Sequence, residues 1–190
     1  MPLAATLVTS NRNKLTEARA VLEPYGIRLK GRLRRLPEPQ VDSLEEVVRA
    51  KLRAVGPMPE PVLVEDSGLF LEGLKGFPGV YSAYAYRTLG LDGILRVLAG
   101  RARGATFRTV VGLRRGSRVR ICAGEISGRI APAPRGRGGF GYDPIFLPGR
   151  SLVCFAELPL EGKNALSHRA RAFRAAVELL RTPARARPGL

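Results

Sequence analysis

The chain has 190 residues, 45% apolar and 25% charged, which is one domain's worth of ordinary globular composition. That composition excludes a fully disordered chain, and the absence of a Gly/Pro period excludes a collagen-like one. Lys and Arg number 32 against 16 Asp and Glu, a net charge of +16 that favours polyanionic partners, whether nucleic acid or a nucleoside triphosphate.

No apolar run approaches the roughly 20 residues of a membrane span. The start, Met1-Pro2-Leu3-Ala4-Ala5-Thr6, lacks the basic and apolar regions of a signal peptide, so the expectation is a cytoplasmic protein without membrane partners. Two cysteines, Cys122 and Cys154, are too few for a disulfide framework, and a single histidine argues against a Cys/His zinc site. Both cysteines read as small buried hydrophobes.

In chain order, Leu3 to Thr9 reads as a buried strand. A helix follows over Asn11 to Glu23, with Leu15, Ala18 and Leu22 on one stripe, and Pro24 and Gly26 stop it. Ile27 to Lys30 reads as a second strand and Gly31 to Val41 as a basic, proline-bearing loop. Ser43 and Glu46 have capping-box spacing at the head of a helix that runs to about Val55. Pro61 to Val64 reads as a third strand running into Glu65-Asp66-Ser67-Gly68, and Gly68 to Gly79 as a glycine-rich loop. Leu91 to Leu98 reads as a helix, and Ala105 to Gly116 and Arg118 to Ile130 as a long hairpin in a more antiparallel lobe. A last helix is expected over Asn164 to Leu180, with Leu166, Ala170, Phe173, Val177 and Leu180 on its apolar stripe. The expected organisation is a single two-lobed domain over residues 1–181, followed by a basic, disordered tail over 182–190.

Alternating strands and helices make this an α/β chain, and sites in such sheets lie beyond strand C-termini. Two polar clusters fall there. Thr9-Ser10-Asn11-Arg12-Asn13-Lys14 opens a helix, where backbone amides, hydroxyls and Lys14 can hold phosphate, although plain N-capping by Ser10 or Asn11 explains the same residues. Glu65-Asp66-Ser67-Gly68 offers adjacent carboxylates for Mg²⁺ or a general base, and equally reads as a solvated turn.

Two further clusters stand apart. Gly138-Gly139-Phe140-Gly141-Tyr142-Asp143 offers a stacking ring among glycines, or a turn with a core Phe. Lys163-Asn164-Ala165-Leu166-Ser167-His168-Arg169 gathers donors and the single His at a helix start, or caps that helix.

Together the clusters resemble the inosine triphosphate pyrophosphatase family, the XTP/dITP diphosphatases. The matching segments are T-S-N-R-N-K at 9–14, L-P-E at 36–38, V-E-D-S-G-L at 64–69, G-F-P-G-V-Y-S at 76–82, G-F-G-Y-D-P at 139–144 and K-N-A-L-S-H-R at 163–169. The resemblance implies a mixed, strongly twisted sheet with flanking helices and a substrate cleft between two lobes. It implies Mg²⁺-dependent hydrolysis of ITP, dITP and XTP to the monophosphate and pyrophosphate, and a homodimer that does not require nucleic acid.

By the same resemblance, Thr9, Ser10, Asn11, Arg12, Asn13 and Lys14 hold the triphosphate. Glu38 and Asp66 hold Mg²⁺, and Asp66 also fits the role of proton acceptor. Lys51 reaches phosphate or metal-bound water, and Lys14, Lys51 and Asp66 form the catalytic set. Ser67 touches the nucleotide, Phe140 stacks on the base, and Gly141, Tyr142, Asp143, Lys163, His168 and Arg169 surround its edge or the sugar. Where some relatives carry a basic residue this chain has Ala83, and Arg87 is a candidate substitute. Rival readings are a Maf-like pyrophosphatase acting on other modified nucleotides and a basic nucleic-acid-binding module.

Overall fold

Strand β1 (Leu3–Thr9) pairs in parallel with β2 (Ile27–Leu33) along its whole length, and with β3 (Val62–Leu71) only at Thr6 and Leu7. β3 then runs antiparallel to β5 (Gly104–Arg115), which forms a long hairpin with β6 (Arg118–Ile130), and β6 pairs with β7 (Phe146–Pro148). The two-residue β4 (Pro78–Gly79) pairs with the far end of β3. The result is a seven-stranded mixed sheet in the order β2-β1-β3-β5-β6-β7, with β4 beside β3. The computed structural model describes residues 3–56 and 58–182.

Helices α1 (Arg12–Leu22) and α5 (His168–Arg181) cover one face of the sheet. Leu15, Ala18 and Leu22 of α1 meet Phe173, Val177 and Leu180 of α5 over Ala5, Leu7, Leu63 and Val111. Helix α2 (Leu44–Val55) covers the other face, packing Val48 and Leu52 on Val8, Val62, Val64 and Val110. Helix α3 (Ser82–Val97) and the loop before β7 close a separate core around Leu69, Leu71, Ile94, Phe146 and Phe155. Gly124 of β6 lets α5 approach closely: a Cβ there would lie 2.3 Å from Ala172 N and 2.5 Å from His168 O.

The structure departs from the sequence reading in five places. β2 continues three residues past Lys30, into what reads as loop. β3 does not end at Val64 but runs to Leu71, so Glu65-Asp66-Ser67 lies inside a strand rather than beyond one, and most of the glycine-rich loop is strand, turn and β4. Turn-forming residue types lose here to a continuous ladder with β5, which pairs every residue from Val62 to Leu71.

α3 begins nine residues early and breaks at Gly90 (φ 62°, ψ −173°). Its first half buries only Ser82 and Ala85, so it shows no apolar stripe to read. The last helix is two helices, α4 (Leu160–Leu166) and α5, separated at Ser167, which leaves the helical region (φ −65°, ψ 152°) and caps α5 by accepting from Ala170 N–H at 3.1 Å. Leu166 accordingly falls off the stripe and is exposed.

Ser43 and Glu46 cap α2, but the Ser43 hydroxyl donates to the Glu46 carboxylate at 2.7 Å while accepting from Glu46 N–H at 3.3 Å. Cys154 is buried and Cys122 half-buried, both free thiols. Beyond Thr182, the expected tail lies outside the described residues. Among those residues no helix is long and apolar enough to cross a membrane.

Candidate active site

Because β1 pairs with β3 only up to Leu63 and β4 begins pairing at Leu69, residues 64–68 of β3 are held by β5 alone and leave one edge open. A cleft of about 1510 Å³ opens on that edge. It is lined by the β1–α1 turn, the loop after β2, α2, α3, the 140–143 loop and the start of α5.

Side chains alternate faces along a strand. Glu65 therefore points with Leu63 towards α1 and α5, and Asp66 points with Val64 towards α2. The neighbours confirm the split. Lys14 of α1 lies 2.8 Å from Glu65 Oε1, and Arg169 Nε of α5 lies 3.4 Å from Glu65 Oε2. Lys51 of α2 donates to Asp66 Oδ1 at 2.6 Å, to Glu38 Oε1 at 3.1 Å and to the Glu65 carbonyl at 3.5 Å. The adjacent carboxylates of the sequence are thus not a chelating pair, which corrects that reading. The carboxylates that converge are Glu38 and Asp66, brought together around one ammonium.

That arrangement fits a divalent cation. Two carboxylates already share a positive charge, and hard oxygen donors suit Mg²⁺, which leaves its other positions to water and substrate phosphate. No third His, Cys, Asp or Glu joins them among the described residues. Burial raises the Glu38 carboxyl, but Lys51, then Lys14 and Arg87, hold it below its ordinary value. Burial likewise works against the Lys51 ammonium, yet Asp66 and Glu38 together raise its pKa.

On the other face lies a buried ionic network that centres on Glu17, which sequence reasoning missed. Glu17 is buried within α1 and accepts from Lys163 at 2.7 Å on one oxygen and from Arg169 at 2.6 Å on the other. Lys163 also reaches Asp143 Oδ2 at 2.5 Å. Arg169 donates to Ser67 Oγ at 3.1 Å, and Ser67 in turn donates to Glu65 Oε2 at 3.0 Å and meets Thr109 Oγ1 at 2.6 Å. Burial raises the Glu65 and Glu17 carboxyls, but the cations outweigh it, holding Glu65 well below and Glu17 below its ordinary value. For Asp143 burial wins over Lys163, and its carboxyl is raised. A charged residue on an otherwise amphipathic helix was the available signal for Glu17; its buried face is legible only once α1 packs on α5.

Phe140 sits at this end of the cleft, half-buried, with Lys163 Nζ 4.9 Å and Arg169 Cζ 5.2 Å from its ring centroid. Its N–H donates to Asp143 Oδ2 at 2.7 Å. Gly139 makes that turn feasible, with φ +67° and a would-be Cβ only 2.1 Å from the same oxygen. His168 stacks on Phe107, with centroids 4.4 Å apart and planes at 8°. Burial, with Arg169 and Lys163 nearby, pushes its imidazole well below the usual value, so it is neutral.

The expected site residues distribute as follows. Thr9, Ser10, Asn11, Asn13, Lys14, Glu38, Lys51, Asp66, Ser67, Phe140 to Asp143, His168 and Arg169 line the cleft. Arg12 is exposed and outside the lining, and Lys163 lies behind the lining, 3% exposed. Asn11 caps α1, accepting from Asn13 N–H at 2.9 Å and Lys14 N–H at 3.3 Å, so those two amides are already occupied. Tyr142 is buried and donates to the Ser82 carbonyl at 2.8 Å.

Known proteins match this chain over nearly its whole length. The Ham1 family matches residues 5–179. A curated dITP/XTP pyrophosphatase of Pyrococcus horikoshii is 46% identical over 176 residues, covering 92% of this chain and 95% of the relative. One from Methanopyrus kandleri is 48% identical over 168 residues, covering 87% and 89%. A solved HAM1 protein from Coxiella burnetii superposes with a TM-score of 0.78 at 30% identity, covering 94% of this chain and 98% of that one. A nucleoside-triphosphatase / dITP/XTP pyrophosphatase structure from Mycobacterium abscessus gives 0.66 at 33% identity, covering 93% and 100%. The overall fold is thus that of known structures, and the chain belongs to the Ham1 family.

Proposed function

We propose that this protein hydrolyses ITP, dITP and XTP to the nucleoside monophosphate and pyrophosphate, with Mg²⁺, and so clears non-standard purines from the nucleotide pool. The observation that carries the reading is the convergence of Lys51, Asp66 and Glu38 within 3.1 Å on one wall of a cleft whose far end holds Phe140 and Arg169. The relatives' shared description as dITP/XTP pyrophosphatases supports it.

Glu38 and Asp66 would hold Mg²⁺, which when bound supplies charge neutralisation to the phosphates. The chain's own residues do the positioning on which phosphoryl transfer mainly depends. Lys51 spends its three N–H groups on Asp66, Glu38 and the Glu65 carbonyl, so it orients both carboxylates and offers the phosphates its charge rather than a free donor. Lys14, held by Glu65, presents its ammonium to the phosphates from α1. By this reading Asp66 serves either as metal ligand or as acceptor of the attacking water's proton, and water cleaves the link between the α- and β-phosphates.

At the other end Phe140, beside the two cations, is the ring proposed to stack on the base. Two of the three Lys163 protons are taken by Glu17 and Asp143, leaving one to donate, and Arg169 keeps free N–H groups beyond its three contacts. A 6-keto purine accepts those donors. Adenine presents an amino group instead and leaves them unpaired, at a cost of about 1–3 kcal/mol.

A Mg²⁺-containing panel of ITP, XTP, GTP, ATP and CTP, scored for pyrophosphate and monophosphate, tests the reading. Strong pyrophosphate release from ITP and XTP alone is expected, and release of single phosphates refutes it. The homodimer belongs to the same proposal, and light scattering during size exclusion checks it. Cytoplasmic location belongs to it as well, checked by fractionation.

A further inference from the structure

Six cationic side chains line the cleft, in addition to the neutral His168, and they fall into two sets. Lys14, Lys51 and Arg169 are each engaged with carboxylates. Arg34, Arg35 and Arg87 are exposed to the cleft, and none of the ion pairs among the described residues involves them.

These three arginines stand on opposite walls. Arg34 and Arg35 directly follow β2, and Arg34 N–H donates to the Thr9 carbonyl at 3.1 Å, which pins this segment beside the β1–α1 turn. Leu36 then anchors the segment in the core below α2, and Glu38 follows. Arg87 rises from the first half of α3, the helix that packs on β3 and β4 across the cleft. It stands near enough to Glu38 for its charge to be felt there, beside the stronger effects of burial, Lys51 and Lys14. All three therefore flank the Glu38 end of the cleft, while Phe140 marks the other end.

A triphosphate brings more negative charge than the cations already engaged by Glu17, Glu38, Glu65 and Asp66 can answer. Arginine's planar fork meets phosphate oxygens bidentately, and its charge is permanent. We propose that Arg34 and Arg35 on one wall and Arg87 on the other clamp the terminal phosphates of the substrate, the part that leaves as pyrophosphate, and so select a triphosphate over a diphosphate. The assignment rests on the proposed function for the identity of the leaving group. Its direct measure is pyrophosphate affinity, which requires no turnover.

The experiment is titration calorimetry of pyrophosphate with Mg²⁺, and separately of IMP, into the full chain. The variants are Arg87→Ala, the double variant Arg34→Ala/Arg35→Ala, Arg87→Lys, and Arg96→Ala as a control on the exposed far end of α3. Pyrophosphate binding is expected to weaken about tenfold for loss of either wall, the scale of a charged hydrogen bond. IMP binding stays unchanged, Arg87→Lys recovers part of the loss, and Arg96→Ala matches the parent.

In turnover, KM for ITP rises about tenfold with kcat held within about twofold, and the preference for ITP over IDP narrows. Unchanged pyrophosphate affinity in both clamp variants overturns the clamp, as does an equal loss for IMP. A parent protein that binds pyrophosphate through these arginines yet turns over no purine triphosphate overturns the proposed function and leaves the clamp standing.

Discussion

The carboxylate of Glu17 and the ammonium of Lys163, 146 positions apart in the chain, meet at 2.7 Å in a pocket where each side chain is at most 5% exposed. Neither charge is stable there without the other, because the desolvation of one buried ion exceeds what a neutral pocket returns. Arg169 completes the arrangement on the second oxygen of Glu17. The Phe140 end of the cleft is thus braced from α1 through Lys163 and Arg169.

Glu17→Gln keeps the shape and removes the charge. It is expected to lower stability by about 3 kcal/mol and to weaken discrimination of ITP from ATP. Pairing it with Lys163→Met should recover much of the stability but not the discrimination. Denaturant melts of the two singles and the double, with kcat/KM for both nucleotides, check this.

Asp66→Asn leaves Lys51 with only Glu38 as a charged partner. Turnover is expected to fall by about 10²–10⁴-fold while the fold persists. Near-parent turnover in a variant with an unchanged melting temperature would remove Asp66 from both of its roles.

Phe140→Ala should raise KM for ITP by an amount equivalent to about 1–3 kcal/mol of stacking, with little change in kcat. Its ring also shields Lys163 and Arg169, so the variant is expected to show a steeper salt dependence of KM.

The folded His168 titrates well below its ordinary 6.5, so below that pH the unfolded chain takes up a proton that the folded chain refuses. Stability therefore falls as pH drops under 6.5, with a slope approaching about 1.4 kcal/mol per pH unit from this group. Glu17 and Glu65, held below 4.5, add a further loss as pH falls through their folded values, and Asp143, raised, works in the opposite sense. The difference in pH slope between the parent and His168→Gln isolates the histidine. Parallel curves between pH 5 and 6.5 would refute the assignment.

Gly124→Ala places a methyl group against the backbone of α5 at Ala172 and His168. It should cost stability and activity together, since α5 carries Arg169. Thermal melts beside ITP turnover check the coupling.

Several elements were plain in the residue order. The helical stripe of α1, the β5–β6 hairpin and the cap at Ser43 are local patterns, and local geometry realises them. The break at Ser167 and the extension of β3 were not plain. At Ser167 a helical stripe continues across a residue whose hydroxyl caps the next helix instead. In β3 a turn-like Asp-Ser-Gly is held extended by a partner strand about 40 residues on, with Asp66 opposite Val110 and Ser67 opposite Thr109.

By itself the sequence determined the family and named candidate residues, Glu17 not among them, because the six segments and their order are facts of the chain. It could not decide which of those residues act together. Period-two alternation in β3 sends Glu65 to α1 and α5 and Asp66 to α2, parting neighbours and pairing Asp66 with Glu38 and Lys51. Packing of α1 on α5 brings Glu17 to two cations near the far end of the chain. Only tertiary structure makes such choices, since the cost of burying a charge is settled by which partner the fold delivers to it.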